Sequence, residues 1–279
     1  MHILTVDFLS ASAPVDFTRS LKETGFAVIK NHSVPWPLIQ KMYAEWLEFF
    51  NSDAKLQYPY EEDGYVPAEV AEIAKGNTVR DIKEFFQYYS WGRCPETLRP
   101  MTHQLYECMV TMASTLLSWL EANTPVEVKQ QFSIPLAEMI KNSSQSMLRI
   151  LHYPPLTGEE EEGAIRAADH EDINLLTLLP ASTQAGLEVK DSQGNWYKVK
   201  CDPETIIVNV GDMLQLCSGG YYRSTTHRVV KPEGQIANQS RMSLPLFLHP
   251  YPEVRLSKTH TQRSYLNERL RELGLLNDS

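Results

Sequence analysis

From Ser146 onward the chain breaks into short apolar runs separated by turn residues, and few architectures accept such a pattern. The runs are SMLRILHY, INLLTLL, GLEVK, WYKVK, TIIVNV, DMLQLC, THRVV and MSLPLFLH. Between them stand DSQGN and NVGD, where glycine is free to take the positive φ that tight turns demand. Many short strands at this spacing specify an antiparallel sandwich or barrel. A mainly β fold is expected, with helices confined to its flanks.

Those helices are read mostly from the first half, which looks mainly helical up to about residue 140. In MTHQLYECMVTMASTLLSWLEAN the residues Leu105, Met109, Met112, Leu116 and Leu120 recur at steps of three and four. They form one apolar face, suited to packing on a sheet. Asp16 to Glu23 and Pro35 to Phe50 read as further helices, and GFAVIK (25–30) as a strand. The stretch from Lys55 to Val79, with its Gly, Pro, Tyr and carboxylates, reads as an irregular loop region of the kind that often carries function. GEEEEG (158–163) reads as a solvated acidic loop. The tail THTQRSYLNERLRELGLL returns to a helical pattern, expected over 261–274.

Composition narrows the function. With 279 residues and 42% hydrophobic content, the chain can bury one sizeable core. A net charge of −9 and a pI near 5.4 disfavour nucleic acid and anionic membranes as partners, because both require a positive field. Cys94, Cys108, Cys201 and Cys217 show no CxxC pairing and no regular spacing, so they read as reduced thiols rather than a disulfide framework. MHILTVDFLSASAPVDF lacks a basic start followed by a long apolar run, and no apolar stretch approaches the roughly 20 residues needed to span a bilayer. A cytoplasmic protein is expected, with a monomer as the default.

His170-Glu171-Asp172 carries the chemistry. In extended chain, side chains two apart share a face, so His170 and Asp172 converge while Glu171 points away. His227 follows in the strand-like THRVV. Two imidazoles and one carboxylate on one side of an ion leave its other positions open, which suits iron(II) receiving a chelating co-substrate or dioxygen. A structural zinc site would be closed by four ligands, usually with cysteine, and none lies in these motifs. HxD alone is a weak signal; its placement beside β segments and ahead of Arg241-Met242-Ser243 strengthens it.

The second half resembles the isopenicillin N synthase-like family, which includes the plant 2-oxoglutarate-dependent dioxygenases. The resemblance rests on LRILHYPP, AADHEDINLLTLLP, AGLEV, WYKV, IIVNVGDMLQLCSGGYYRSTTHRVV and SRMSLPLFLHP, in the family's order. GFAVIKNHSVP and DIKEFF extend it through the first half. It implies a double-stranded β-helix, or jelly-roll, core over 146–250, within a single oxygenase domain spanning 1–279. It also implies iron ligands at His170, Asp172 and His227, and no catalytic side chain beyond them. Arg241 and Ser243 fall on the family's RxS pair, where a planar guanidinium fork and a hydroxyl grip a carboxylate. Tyr153 falls on the tyrosine that commonly assists that grip.

Fe(II), 2-oxoglutarate and dioxygen are the implied cofactor and co-substrates. The implied reaction is oxidative decarboxylation of 2-oxoglutarate, coupled to hydroxylation, desaturation or cyclisation of a small molecule. Two alternatives stay open. One is an oxidase like isopenicillin N synthase or the ethylene-forming enzyme, whose RxS serves another carboxylate; the other is a non-catalytic jelly roll binding a small ligand. The sequence departs from the plant pattern at Leu151 and His152, where Asn and Tyr are usual. A longer turn around KPEGQIANQ also separates His227 from Arg241. Asn209, Gly211 and Asp212 read as a tight turn, Trp196 as hairpin packing and His32 as a structural turn residue. Tyr58, Tyr60, Tyr65, Phe85 and Phe86 suit either a cavity wall or ordinary packing.

Overall fold

The computed structural model describes residues 1–70, 80–158, 160, 164–231 and 239–276. Along the chain run β1 (Thr5–Asp7), α1 (Ala13–Thr24), β2 (Phe26–Lys30), α2 (Trp36–Phe50), β3 (Gly64–Val66), β4 (Glu84–Tyr88) and α3 (Arg99–Ala122). Two single-turn helices follow, α4 (Val126–Lys129) and α5 (Leu136–Met139). The second half contributes β5 (Met147–Tyr153), β6 (Ala167–His170), β7 (Leu176–Pro180), β8 (Leu187–Lys190), β9 (Trp196–Lys198), β10 (Thr205–Val210) and α6 (Asp212–Cys217). It closes with β11 (His227–Val229), β12 (Arg241–Ser243), β13 (Leu246–Leu248) and α7 (Gln262–Glu272).

Among the described residues the strands form two sheets. The larger runs β1-β2-β10-β7-β13-β5-β4-β3, with β12 beside β5; the smaller runs β6-β11-β8-β9. Side chains alternate across the larger sheet as a strand's period of two requires. Ala27, Ile29, Ile206, Val208, Leu176 and Leu178 pack with the helices, whereas Phe26, Val28 and Ile207 pack with Leu187, Val189 and Val229 of the smaller sheet. The result is three layers: helices, large sheet, small sheet. This is the mainly β fold with flanking helices, and the space between the sheets is where a site can form.

The helix layer is built from the periodic faces. Leu105, Met109, Met112, Leu116 and Leu120 of α3 are all fully buried, and Pro100 stands in its first turn, where its missing N–H costs nothing. Trp46 of α2 donates from Nε1 to Thr102 Oγ1 at 3.0 Å, fastening α2 to α3. Thr261 caps α7 by accepting from the Ser264 amide, and Ser264 Oγ accepts from the Thr261 amide.

The first half carries α1 to α5 and, besides the expected strand at GFAVIK, three further strands of the larger sheet; DIKEFF supplies β4, which pairs along β5 from Glu84↔His152 to Tyr88↔Leu148. Two expectations need correction. DMLQLC is the helix α6, not a strand. The region from Lys55 begins with a 3-10 turn over Asp53–Gln57 and contains β3, so it is partly ordered. Its end at 71–79 lies outside the described residues, as do most of GEEEEG and KPEGQIANQ.

Candidate metal centre and carboxylate pocket

His170 ends β6 and His227 begins β11. These strands are antiparallel neighbours in which His227 pairs directly with His170. The ring centroids stand 4.3 Å apart. Each imidazole meets a carbonyl two residues behind it: His170 Nδ1 donates to Ala168 O at 2.7 Å and His227 Nδ1 to Thr225 O at 3.0 Å. A carbonyl oxygen only accepts, so the hydrogen of each neutral ring sits on Nδ1 and the lone pair on Nε2.

Asp172 follows β6 in the loop toward β7. Its Oδ1 lies 3.7 Å from His170 Nε2 and 3.8 Å from His227 Nε2. These gaps are too long for hydrogen bonds but suit an ion whose bonds to N and O are about 2.1 Å. The other oxygen, Oδ2, accepts from Thr177 Oγ1 at 2.5 Å and from Asn209 Nδ2 at 2.9 Å. Asn174 Nδ2 in turn donates to Thr177 Oγ1 at 2.8 Å. Burial works against ionisation of Asp172, but His227, His170, Asn209 and Thr177 outweigh it and hold the carboxyl below the usual range. His170 keeps 37% of its side chain accessible on the open side, yet desolvation of the ring and repulsion from His227 lower its pKa to about 4. At neutral pH, His170 and Asp172 are in their ligating forms.

The three ligand atoms fall within 4.8 Å of one another, and they form the one such cluster among the described residues. The donor set fits the expected metal: two neutral nitrogens and one anionic oxygen, on one side only.

The candidate carboxylate pocket lies on the facing sheet. β12 pairs with β5 so that Arg241 stands opposite Tyr153 and Ser243 opposite Leu151. Arg241 is 2% exposed. Its Nε donates to Gln184 O at 3.1 Å and its Nη2 to Ser182 Oγ at 2.9 Å, while Ser182 Oγ lies 3.2 Å from Ser243 Oγ. The guanidinium carbon sits 4.9 Å from the centroid of the Tyr153 ring. Nη1 is buried with no hydrogen-bond partner among the described residues. A buried charged donor with an unused N–H is what an incoming carboxylate completes.

Leu151 and Tyr153 share an apolar cluster with Val66 and Phe85. Arg149, two residues earlier on the same face of β5, lies 4.4 Å over the Phe85 ring and 5.4 Å from that of Phe247, and donates to Gln87 Oε1 at 2.6 Å. Phe247 pairs across strands with Thr177, the residue that supports Asp172. This wall therefore runs up to the candidate metal ligands. Of the five aromatics flagged by sequence, only Phe85 joins it. Tyr58, Tyr65 and Phe86 pack in or against the helix-side core, and Tyr60 is exposed. His152 faces the helices too, stacked on Phe50 and donating from Nδ1 to Glu84 Oε1 at 2.7 Å. That departure from the plant pattern does not touch the pocket, whereas Leu151 does, replacing a hydrogen-bonding wall with an apolar one.

Asn209 is not a turn residue: it lies within β10 and holds Asp172. Gly211 and Asp212 open α6, where the Asp212 amide donates to Asp172 O at 2.8 Å. Trp196 is hairpin packing, covered by the Arg228 guanidinium at 3.9 Å. His32 is half-buried with neither ring nitrogen hydrogen-bonded among the described residues, and burial lowers its pKa. Sequence reading missed Thr177, Ser182, Gln184 and Arg166. For Thr177 the signal was a lone polar residue interrupting LLTLL.

A jelly-roll sandwich with a candidate one-sided metal site facing a buried, incompletely paired arginine points to a class, the metal-dependent oxygenases that take a keto-acid co-substrate. Residues 144–250 match the model of the 2OG-Fe(II) oxygenase superfamily, and residues 15–104 match that of the N-terminal region of non-haem dioxygenases in morphine synthesis. The proline hydroxylase buaE of Petromyces alliaceus is 30% identical over 263 residues, 84% of this chain and 80% of that protein. Jasmonate-induced oxygenase 3 of Arabidopsis thaliana is 28% identical over 263 residues, 88% of this chain and 69% of that one. A candidate oxygenase of Shewanella oneidensis, seen in a crystal structure, superposes with a TM-score of 0.90 at 51% identity, covering 99% of this chain and 100% of its own. The chain belongs to the 2OG-Fe(II) oxygenase superfamily. It is an iron(II)- and 2-oxoglutarate-dependent dioxygenase that couples decarboxylation of the keto acid to oxidation of a small molecule. Among the described residues no helix is long and apolar enough to cross a membrane.

Proposed function

We propose that His170, Asp172 and His227 hold the iron(II), and that Arg241 and Ser243, over the Tyr153 ring, take the distal carboxylate of 2-oxoglutarate. One observation carries the metal assignment. Both Nδ1–H groups are spent on carbonyls and Asp172 Oδ2 on two donors, so three lone-pair atoms remain, all turned to one point. Iron bound there supplies the redox chemistry by which dioxygen converts 2-oxoglutarate to succinate and carbon dioxide while the substrate is oxidised. The chain's own residues orient. Thr177 and Asn209 fix the carboxylate plane of Asp172, Arg241 sets the reach of the co-substrate, and Leu151, Phe85 and Phe247 keep water from the wall.

The substrate space is the region beside Phe85, Phe247 and Arg149. Relatives named for jasmonate, gibberellin and proline chemistry support a small organic molecule as substrate. The whole chain acts as one oxygenase domain, since β1 to β4 are woven into the sheet that carries Arg241. The four free cysteines support a reducing, cytoplasmic setting.

Metal titration tests the ligands: His170→Ala and Asp172→Ala are expected to lose iron(II) binding, and wild-type stoichiometry in both would overturn the assignment. Arg241→Ala is expected to raise the apparent KM for 2-oxoglutarate about 10- to 100-fold, the worth of a hydrogen bond to a charged group. If only primary-substrate binding suffered, RxS would be gripping a different carboxylate.

A further inference from the structure

A second arginine lies behind the first. Arg166 stands four residues before His170 and is fully buried. Its Nη1 donates to Gln184 Oε1 at 3.0 Å and its Nη2 to the Gln239 carbonyl at 3.1 Å, while Nε is buried with no partner among the described residues. Its guanidinium carbon is 5.9 Å from the centroid of the Tyr153 ring, the ring that Arg241 also covers. Gln184 serves both: its side chain accepts from Arg166 and its backbone carbonyl from Arg241.

Two full positive charges thus share one phenol ring and one glutamine. No carboxylate among the described residues pairs with either; every hydrogen-bond partner is neutral. Burial, and after it the charge of Arg241, pull the Arg166 pKa down to about 10, which still leaves it protonated at neutral pH. Buried charges are ordinarily matched by an opposite charge, and a lone pair of like charges is costly to keep. An arrangement of this kind persists where an incoming anion completes it.

We propose that Arg166 is a positioning residue of the co-substrate pocket, holding Gln184 and Tyr153 in place around Arg241 and supplying a second positive charge toward the distal carboxylate of 2-oxoglutarate. This rests on the reading that Arg241 and Ser243 grip that carboxylate. The family's RxS pair does not include it, and neither HxD nor RxS points to it in the sequence.

The test is equilibrium binding of two keto acids to the Mn(II)-loaded protein by calorimetry. One is 2-oxoglutarate; the other is pyruvate, which keeps the chelating end and lacks the distal carboxylate. Arg166→Met is expected to weaken 2-oxoglutarate at least tenfold and leave pyruvate unchanged, and Arg166→Lys to recover most of the loss. Arg166→Gln, which keeps a donor for Gln184 without the charge, should behave as the Met variant does and replaces it should that variant not fold. Unchanged 2-oxoglutarate affinity, or an equal loss for both keto acids, would overturn the proposal. Arg241→Met separates the two readings. If it too leaves 2-oxoglutarate binding intact, the RxS assignment fails. If it alone abolishes binding, only the role of Arg166 fails.

Discussion

Which nitrogen of each imidazole carries a hydrogen is fixed by carbonyls two residues back, and which oxygen of Asp172 is free is fixed by Thr177 and Asn209. The residues that direct ligands in this way matter nearly as much as the ligands. Thr177→Val and Asn209→Leu are each expected to weaken iron(II) binding about 10- to 100-fold in a metal titration; unaltered affinity in both would remove the network from the account. A second expectation concerns acid. His249 is buried, and desolvation lowers its pKa from 6.5 to about 4. Below pH 6.5 the unfolded chain takes up a proton that the folded protein refuses, so stability is full above that pH and falls as pH drops toward 4. The loss is on the order of 3 kcal/mol for this group. Denaturant titration of metal-free protein at pH 7.5 and 4.5 should show it, and His249→Gln should reduce the difference without abolishing it, since His170 is lowered to about 4 as well. At this scale the candidate ligands and the candidate carboxylate grip were legible, because HxD and RxS are fixed in spacing. Asn209 and Gln184 were not, because what they hold lies far away in sequence.

Short elements divide into those whose pattern outlasts ambiguity and those whose pattern does not. The five-residue apolar stripe of α3 runs over four turns and admits only a helix. DMLQLC is six residues long, and an apolar run of that length fits a strand or a helix equally well. What decides it is tertiary: the amides of Gly211, Asp212 and Met213 donate to carbonyls of Leu175, Asp172 and Asn174, so the start of α6 is seated on the loop that carries Asp172. β4 was not read from the sequence as a strand, because EFFQY is buried at every position and carries no alternation. The seat of α6 has no spare room. A Cβ on Gly211 would lie 2.1 Å from Asn174 Oδ1 and 2.3 Å from its backbone oxygen, although its φ of −105° suits any residue. Gly211→Ala is therefore expected to cost about 1–3 kcal/mol by overpacking and to weaken iron binding as the loop shifts. Denaturation midpoints alongside metal titration would reveal it, and a variant as stable as wild type would refute the crowding.

For the molecule as a whole, anything that binds only the folded state adds to its stability by mass action. Metal at a hundredfold excess over its dissociation constant contributes about 2.7 kcal/mol. In a protein of 279 residues this corresponds to several degrees of melting temperature, so chelator treatment should lower the transition by that amount. A melting temperature indifferent to chelator would place the metal outside the folded core. The direct pairing of His170 with His227 gives this linkage a further meaning. The two are 57 residues apart in sequence, and they meet only because β6 and β11 are in one register. An ion bridging them acts as a removable cross-link closing that loop, and for a covalent tie the chain-entropy relation gives about 4 kcal/mol at this length. It also proofreads the sheet, since a slip of one residue would turn one imidazole to the opposite face. If His170 and His227 hold the ion as proposed, metal loading favours the one register in which β6 and β11 bring both imidazoles to the same face.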